Sequence, residues 1–168
     1  YNPEYIGKQL EFFYDLIINI RSIRELSEKD NGWEIKWNKN INTIKEFIKD
    51  NKKLLNVGIL GNGNIGKSFL LSRIFKENIP SGYSVITEGL SIKMNKEKLY
   101  ALLDSAGLQT PLLQNDEEIN KYLNEEDKFK EYENLYKDKT QTENFIQNLI
   151  LYLSDMLLIV VGKITFNE

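Results

Sequence analysis

Residues 54–71 read LLNVGILGNGNIGKSFLL, and this stretch decides the fold that the sequence predicts. Its first seven residues are almost entirely apolar, which is typical of a strand buried on both faces of a parallel sheet. Gly61 to Ser68 follow with the spacing G-x-x-x-x-G-K-[ST], and residues 67–77 have the apolar periodicity of a helix. A buried strand, a glycine-rich loop and a helix in this order predict an α/β domain with a largely parallel sheet.

The positions of this loop suit the binding of a phosphate chain. Glycines let the backbone turn tightly, and successive amide N–H groups with the positive end of a helix surround an anion. Lys67 would reach the outer phosphates, and the Ser68 hydroxyl would bind Mg²⁺. The predicted binding segment is therefore Gly61, Asn62, Gly63, Asn64, Ile65, Gly66, Lys67, Ser68 and Phe69.

A second anchor for Mg²⁺ is expected at the end of a neighbouring strand. Residues 99–107, LYALLDSAG, end an apolar run at Asp104 and place Gly107 three residues later. We expect Asp104 to bind the Mg²⁺ shell and the Gly107 amide to sense the terminal phosphate. The alternative is that Asp104 caps a helix or stabilises a turn.

The segment between these motifs, VITEGLSI at residues 85–92, offers a third ligand. A threonine before a strand can coordinate Mg²⁺ only when a third phosphate is present, which is an order–disorder switch. Thr87 is the candidate. The predicted metal ligands are Ser68, Thr87 and Asp104, and the predicted catalytic residues are Asn64, Lys67, Ser68 and Thr87.

The rest of the chain predicts further helices and strands by periodicity. Residues 3–28 have helical spacing, as an amphipathic helix that either packs on the domain's own core or holds a protein partner. The other predictions are strands at 33–37, 90–94, 99–104 and 156–164, helices at 41–49, 115–140 and 142–153, and a loop at 78–89.

Composition limits the chemistry that these residues can perform. The chain has 168 residues, with no cysteine and no histidine, so a thiolate zinc site and a histidine base are both excluded. A net charge of −3 gives no reason to expect nucleic-acid binding. Neither a signal peptide nor a transmembrane segment is visible, so we expect a cytoplasmic location.

Three segments together resemble the dynamin superfamily, and most closely its guanylate-binding protein and atlastin branch. GKSFLL (66–71), TEGLSI (87–92) and LLDSAGL (102–108) look like its P-loop, switch I and switch II. The resemblance covers residues 54–161. It implies an α/β P-loop NTPase fold of the G-domain type, with three layers, Mg²⁺, GTP hydrolysis at the β–γ bond and, in many members, nucleotide-dependent pairing of two G domains.

Two departures from that branch bear on activity. At Asn64 the branch usually carries an arginine that acts as a finger in cis, and such a finger is worth roughly 10³–10⁵ in rate. The motif that reads guanine is absent, since NKEK (95–98) comes too early and KDKT (137–140) follows a charged helix. Either the sequence is truncated or the G domain is a reduced one, and GTP rather than ATP rests on the resemblance.

The resulting prediction is an N-terminal helical extension, residues 1–50, followed by the N-terminal portion of a GTPase domain, residues 51–168. The predicted activity is slow Mg²⁺-dependent GTP hydrolysis. The alternative is a nucleotide-binding scaffold with little or no hydrolysis.

Overall fold

A computed structural model describes residues 13–24, 33–37, 53–80, 89–108 and 126–162. Within these ranges the chain forms six strands and two helices of more than one turn. In chain order they are β1 (Leu16–Asn19), β2 (Glu34–Trp37), β3 (Leu55–Leu60), α1 (Lys67–Phe75), β4 (Leu90–Asn95), β5 (Tyr100–Ser105), α2 (Glu126–Leu153) and β6 (Met156–Ile159).

The six strands form one mixed sheet in the order β2-β1-β4-β5-β3-β6. β3 pairs in parallel with both β5 and β6, whereas the β1–β2, β1–β4 and β4–β5 pairs are antiparallel. The prediction of a largely parallel sheet is therefore wrong. Only the four residues 96–99 join β4 to β5, and such a short connection permits a hairpin but no parallel crossover.

One helix covers each face of the sheet. Successive residues of a strand point to opposite faces, and the two core clusters follow this alternation. Val57, Ile59 and Leu102 pack with Leu71 of α1 on the first face. Leu103 packs with Ile146 and Ile150 of α2 on the second face. The described residues thus form three layers, and the predicted α/β class is confirmed.

The prediction of one helix over residues 3–28 is wrong at residues 16–19, and residues 3–12 and 25–28 lie outside the described residues. Residues Leu16–Asn19 are a strand that pairs with β2 and β4. The β-branched side chains of Ile17 and Ile18 suit a strand, and they enter the two opposite core clusters. β1 and β2 consequently belong to the same sheet as the strands that follow them.

From residue 126 onward, the two helices predicted at 115–140 and 142–153 are one continuous helix that ends at Leu153, and residues 115–125 lie outside the described residues. The polar residues where the two predictions meet, Thr140 to Thr142, do not interrupt it. Thr140 and Thr142 donate their hydroxyls to the carbonyls of Tyr136 and Asp138 at 2.9 and 2.8 Å, four residues back. Such bonds satisfy the threonine side chain within a continuous helix.

The remaining strand predictions agree with the structure, except that β6 ends at Ile159. The predicted helix at 41–49 and residues 81–88 of the predicted loop lie outside the described residues. Among the described residues, neither helix combines the length and apolar character needed to cross a membrane.

Tyr100 gives a prediction about stability at high pH. Its hydroxyl donates to Glu77 Oε1 at 2.5 Å, and burial and this carboxylate raise the pKa of Tyr100 to about 12 from 10.0. Because the raised pKa belongs to the folded state, the contribution of Tyr100 to stability is complete below pH 10 and is lost as the pH rises to 12. Tyr100→Phe should lower the free energy of unfolding by about 1.5–3 kcal/mol near neutral pH, as expected for a hydrogen bond to a charged group. Urea unfolding at several pH values should show this difference disappearing between pH 10 and 12; a constant difference would contradict the assignment.

Candidate functional site

The carboxyl ends of β3, β5 and β6 meet at one edge of the sheet, and backbone hydrogen bonds join the segments that leave them. The Gly63 N–H donates to the Leu108 carbonyl at 2.6 Å, and the Leu108 N–H donates to Gly61 at 3.3 Å. The Val160 N–H donates to the Leu60 carbonyl at 2.8 Å. The glycine-rich loop therefore lies at the edge where open α/β sheets place their ligands.

The loop turns through three residues with positive φ angles, which are 150° at Gly61, 58° at Asn64 and 86° at Gly66. A Cβ atom at Gly61 would lie 2.5 Å from the Val160 carbonyl oxygen, so the strand-to-loop exit leaves no room for a side chain. Asparagine is the non-glycine residue that best tolerates the left-handed conformation. The sequence at 61–66 thus matches the backbone path of a tight loop.

Helix α1 starts at Lys67, directly after this loop. The residue before the helix, Gly66, has no side chain that could cap it, and the first turn of α1 carries no acidic residue. The first N–H groups of a helix have no partner within the helix and carry its positive dipole end. A phosphate group is a ligand that would satisfy both the hydrogen-bonding groups and the charge.

Lys67 is 4% exposed and bridges the loop and the segment after β5. Its Nζ donates to the Asn62 carbonyl at 2.8 Å and to the Ala106 carbonyl at 3.3 Å. Burial lowers the pKa of Lys67, and the nearby Asp104 carboxylate opposes this shift. The ammonium group is thus held close to the loop by carbonyl dipoles and a negative charge.

Gly107 is packed against this ammonium group. A Cβ atom there would run into Lys67 Nζ and would lie 2.9 Å from the Asn62 carbonyl oxygen. Its φ angle of 94° is also one that side chains rarely adopt. The glycine of the D-x-x-G pattern therefore lets the segment after β5 approach the glycine-rich loop.

Asp104 lies in β5 and is fully buried, with 0% of its surface exposed. Its Oδ1 accepts the Ser105 N–H at 2.9 Å, its Oδ2 accepts the Tyr14 hydroxyl at 2.7 Å, and the Ser68 side chain also hydrogen-bonds to it. Burial raises the pKa of Asp104, while Ser68, Tyr14, the Lys67 charge and the Ser105 amide oppose the rise. Since a buried carboxylate charge is costly, a divalent cation beside it would favour the ionised form.

The structure brings several of the predicted site residues together and separates others from them. Ser68 contacts Asp104, and Lys67 lies against Gly107. Asn64 is exposed on the loop. The Phe69 side chain is 49% exposed, with the Arg73 guanidinium 5.0 Å from its ring centre. Thr87 lies outside the described residues.

Tyr14 is a site residue that the sequence analysis missed. It is 1% exposed and its hydroxyl reaches Asp104 across 90 positions of sequence. The helical spacing of residues 3–28 comes from other apolar positions, which are Tyr5, Ile6, Leu10, Phe13, Ile17, Ile20 and Ile23. No local pattern indicates this contact, because it depends on the pairing of β1 with β4.

Comparison with known proteins gives one distant relative. No family model matches the chain, and no solved structure matches it. The relative is a heat shock protein of Dictyostelium discoideum, 26% identical over an alignment of 168 residues. The alignment covers 92% of this chain and 23% of the relative, so the chain spans less than a quarter of that protein's length.

Proposed function

We propose that this chain binds a Mg²⁺–nucleoside triphosphate at the edge formed by the glycine-rich loop and β5, and that it hydrolyses the triphosphate slowly. GTP is the proposed nucleotide, as expected from the resemblance to guanylate-binding and atlastin-type GTPases. The name of the distant relative states no ligand, so the proposal depends on this chain's own residues.

The contact between Ser68 and Asp104 carries the proposal. These residues come from two different motifs, 36 positions apart, and their side chains lie close enough for one Mg²⁺ to be held by both motifs. The Ser68 hydroxyl donates to the carboxylate and keeps its lone pairs for a cation. Lys67, beside both residues, supplies a positive charge for the phosphates.

The fold supports a P-loop NTPase of the G-domain type. The loop and Asp104 lie at the carboxyl ends of β3 and β5, which are adjacent and parallel. The strand–loop–helix order of β3, residues 61–66 and α1 is the context in which this motif binds phosphate.

Slow hydrolysis is proposed because Asn64 is neutral. It is exposed on the loop, at the position where the resembling branch carries its catalytic arginine. Without that charge, the negative charge that develops on the transferred phosphoryl group is less well stabilised. Two further predictions from the sequence concern partners. They are the nucleotide-dependent pairing of two chains and the binding of a protein partner by the N-terminal segment.

The test is the Mg²⁺ dependence of nucleotide binding in an Asp104→Asn variant. Asparagine keeps the shape of the side chain and removes the charge that Mg²⁺ needs. The gain in affinity for fluorescent GTP on adding Mg²⁺ should therefore be at least about 10-fold smaller in the variant than in the wild type. Titrations with labelled GTP and ATP, each in Mg²⁺ and in EDTA, measure this effect and the choice of base.

Asp155→Asn is the matched control. Asp155 accepts the Asn56 N–H at 2.9 Å near the start of β3, at the opposite edge of the sheet from the loop. It should change the Mg²⁺ dependence no more than about twofold, which is within ordinary variation for a surface site. A wild-type protein that binds neither nucleotide, or binds both equally with and without Mg²⁺, would contradict the proposal.

A nucleotide-binding scaffold is the second candidate, and the neutral Asn64 favours it. The two functions differ in what the purified protein contains after incubation with GTP and Mg²⁺. Chromatography of the released nucleotide should give mostly diphosphate for a slow GTPase and intact triphosphate for a scaffold.

A further inference from the structure

Tyr14 contacts the candidate site and lies two residues before the start of the N-terminal strand β1. Its ring packs in the core cluster with Ile59, Leu71 and Leu102, between the sheet and α1. Its hydroxyl donates to Asp104 Oδ2 at 2.7 Å, and both side chains are buried. A hydrogen bond to a buried carboxylate is one of the stronger side-chain contacts in a protein.

This hydrogen bond fixes the orientation of the carboxylate. The Ser105 N–H holds Oδ1 and the Tyr14 hydroxyl holds Oδ2, so neither oxygen is free to rotate away. Each carboxylate oxygen accepts more than one hydrogen bond, so a lone pair remains for a cation or its water. Groups that orient a metal ligand in this way commonly change metal affinity 10- to 100-fold when they are removed.

The residue after Tyr14 fastens the same segment to β4. The Asp15 N–H donates to the Ile92 carbonyl at 2.9 Å, and Asp15 Oδ2 accepts the Met94 N–H at 2.8 Å. Lys93 forms an ion pair with Asp15 at 3.7 Å. Tyr14 can therefore reach Asp104 only when this part of the chain is docked on β4.

We propose that Tyr14 is a positioning residue for Asp104, and that it couples Mg²⁺–nucleotide binding to the docking of the N-terminal strand β1. The proposal rests on the function proposed above. Coupling is reciprocal, so a ligand that needs the oriented carboxylate must also stabilise the docked strand.

The test compares Tyr14→Phe with Tyr100→Phe. Both tyrosines are buried in the same core cluster and both donate to a carboxylate, but Tyr100 donates to Glu77, which is not a site residue. Tyr14→Phe should weaken fluorescent GTP binding roughly 10- to 100-fold in Mg²⁺ and should leave the affinity in EDTA unchanged. Tyr100→Phe should leave both affinities unchanged.

A double variant tests whether Tyr14 acts through Asp104. Adding Tyr14→Phe to Asp104→Asn should cause no further loss of Mg²⁺-dependent affinity, because the group that Tyr14 orients is already altered. For the single variant Tyr14→Phe, two results would show that Tyr14 only supports the core. One is an equal loss of GTP affinity in Mg²⁺ and in EDTA, and the other is a loss of the same size in Tyr100→Phe.

Hydrogen exchange of the unaltered protein gives an independent measurement of the coupling. Mg²⁺–GTP should slow amide exchange in residues 13–19, and an unchanged rate there on a loaded protein would overturn the coupling. If the wild type shows no Mg²⁺-dependent binding, the proposed function falls and this proposal falls with it. If the wild type binds and Tyr14→Phe keeps the full Mg²⁺ dependence, only the role of Tyr14 is wrong.

Discussion

Replacing Lys67 by alanine should weaken Mg²⁺–GTP binding about 100-fold or more and reduce GTP turnover to background. Lys67 places a buried ammonium group between the glycine-rich loop and the segment after β5, where it is held by the Asn62 and Ala106 carbonyls. Each hydrogen bond from such a group to phosphate oxygen contributes about 1.5–3 kcal/mol, so the loss of two explains this factor. Phosphate release and fluorescent nucleotide titration measure the two effects.

Lys76→Ala is the control for this experiment. Lys76 is exposed directly after the last residue of α1, so the variant removes one lysine charge at the far end of the helix without altering the site. Thermal unfolding of both variants without nucleotide shows whether either has lost its fold. Equal turnover by the wild type and a folded Lys67→Ala variant would exclude hydrolysis at this loop.

Asn64→Arg should increase the rate of GTP hydrolysis by at least about 10-fold and by up to about 1,000-fold. Asn64 is exposed, so an arginine there can extend without displacing a buried neighbour. An arginine finger is worth roughly 10³–10⁵ in rate when its geometry is ideal. A smaller gain is expected here because the residue has a φ angle of 58°, which arginine adopts at a cost of about 1 kcal/mol. Single-turnover hydrolysis measures the change separately from binding.

Asn62→Arg is the matched control, since Asn62 is also exposed on the loop. Both variants add one positive charge near the phosphates, but only position 64 corresponds to the finger of the resembling GTPases. Similar rates in the two variants would mean that general charge attraction, rather than position, causes the increase. An unchanged rate in Asn64→Arg would mean that position 64 does not place an arginine where the resembling GTPases place their finger.

The sequence predicted the strands and the helix that flank the candidate site, because the signals for these elements are local. The glycine spacing at 61–68 and the apolar run before it specify the strand, the turn and the helix within a few residues of one another. Asp104 could be placed at a strand end for the same reason, from the apolar residues that precede it. The strand–loop–helix prediction and the placement of Asp104 both depend only on residues that are close together in the sequence.

The sequence did not predict the features that depend on distant pairing. Residues 3–28 have helical spacing, but the segment 16–19 becomes a strand because β4 offers it an unpaired edge. In such a short segment, strand pairing together with β-branched residues outweighs the helical spacing of apolar residues. The role of Tyr14 was missed with the strand, because its hydroxyl finds Asp104 only after that pairing has formed.

The position of β1 between β2 and β4 has a consequence for how the protein is made. Leu16 pairs with Ile92, so during synthesis the strand must wait for its partner for about 4–15 seconds at usual elongation rates. Among the described strands, β2 is the only pairing partner of β1 that is synthesised before β4. A nascent chain that stalls before β4 would therefore expose a hydrophobic strand edge, which is a feature that chaperones bind and that promotes aggregation.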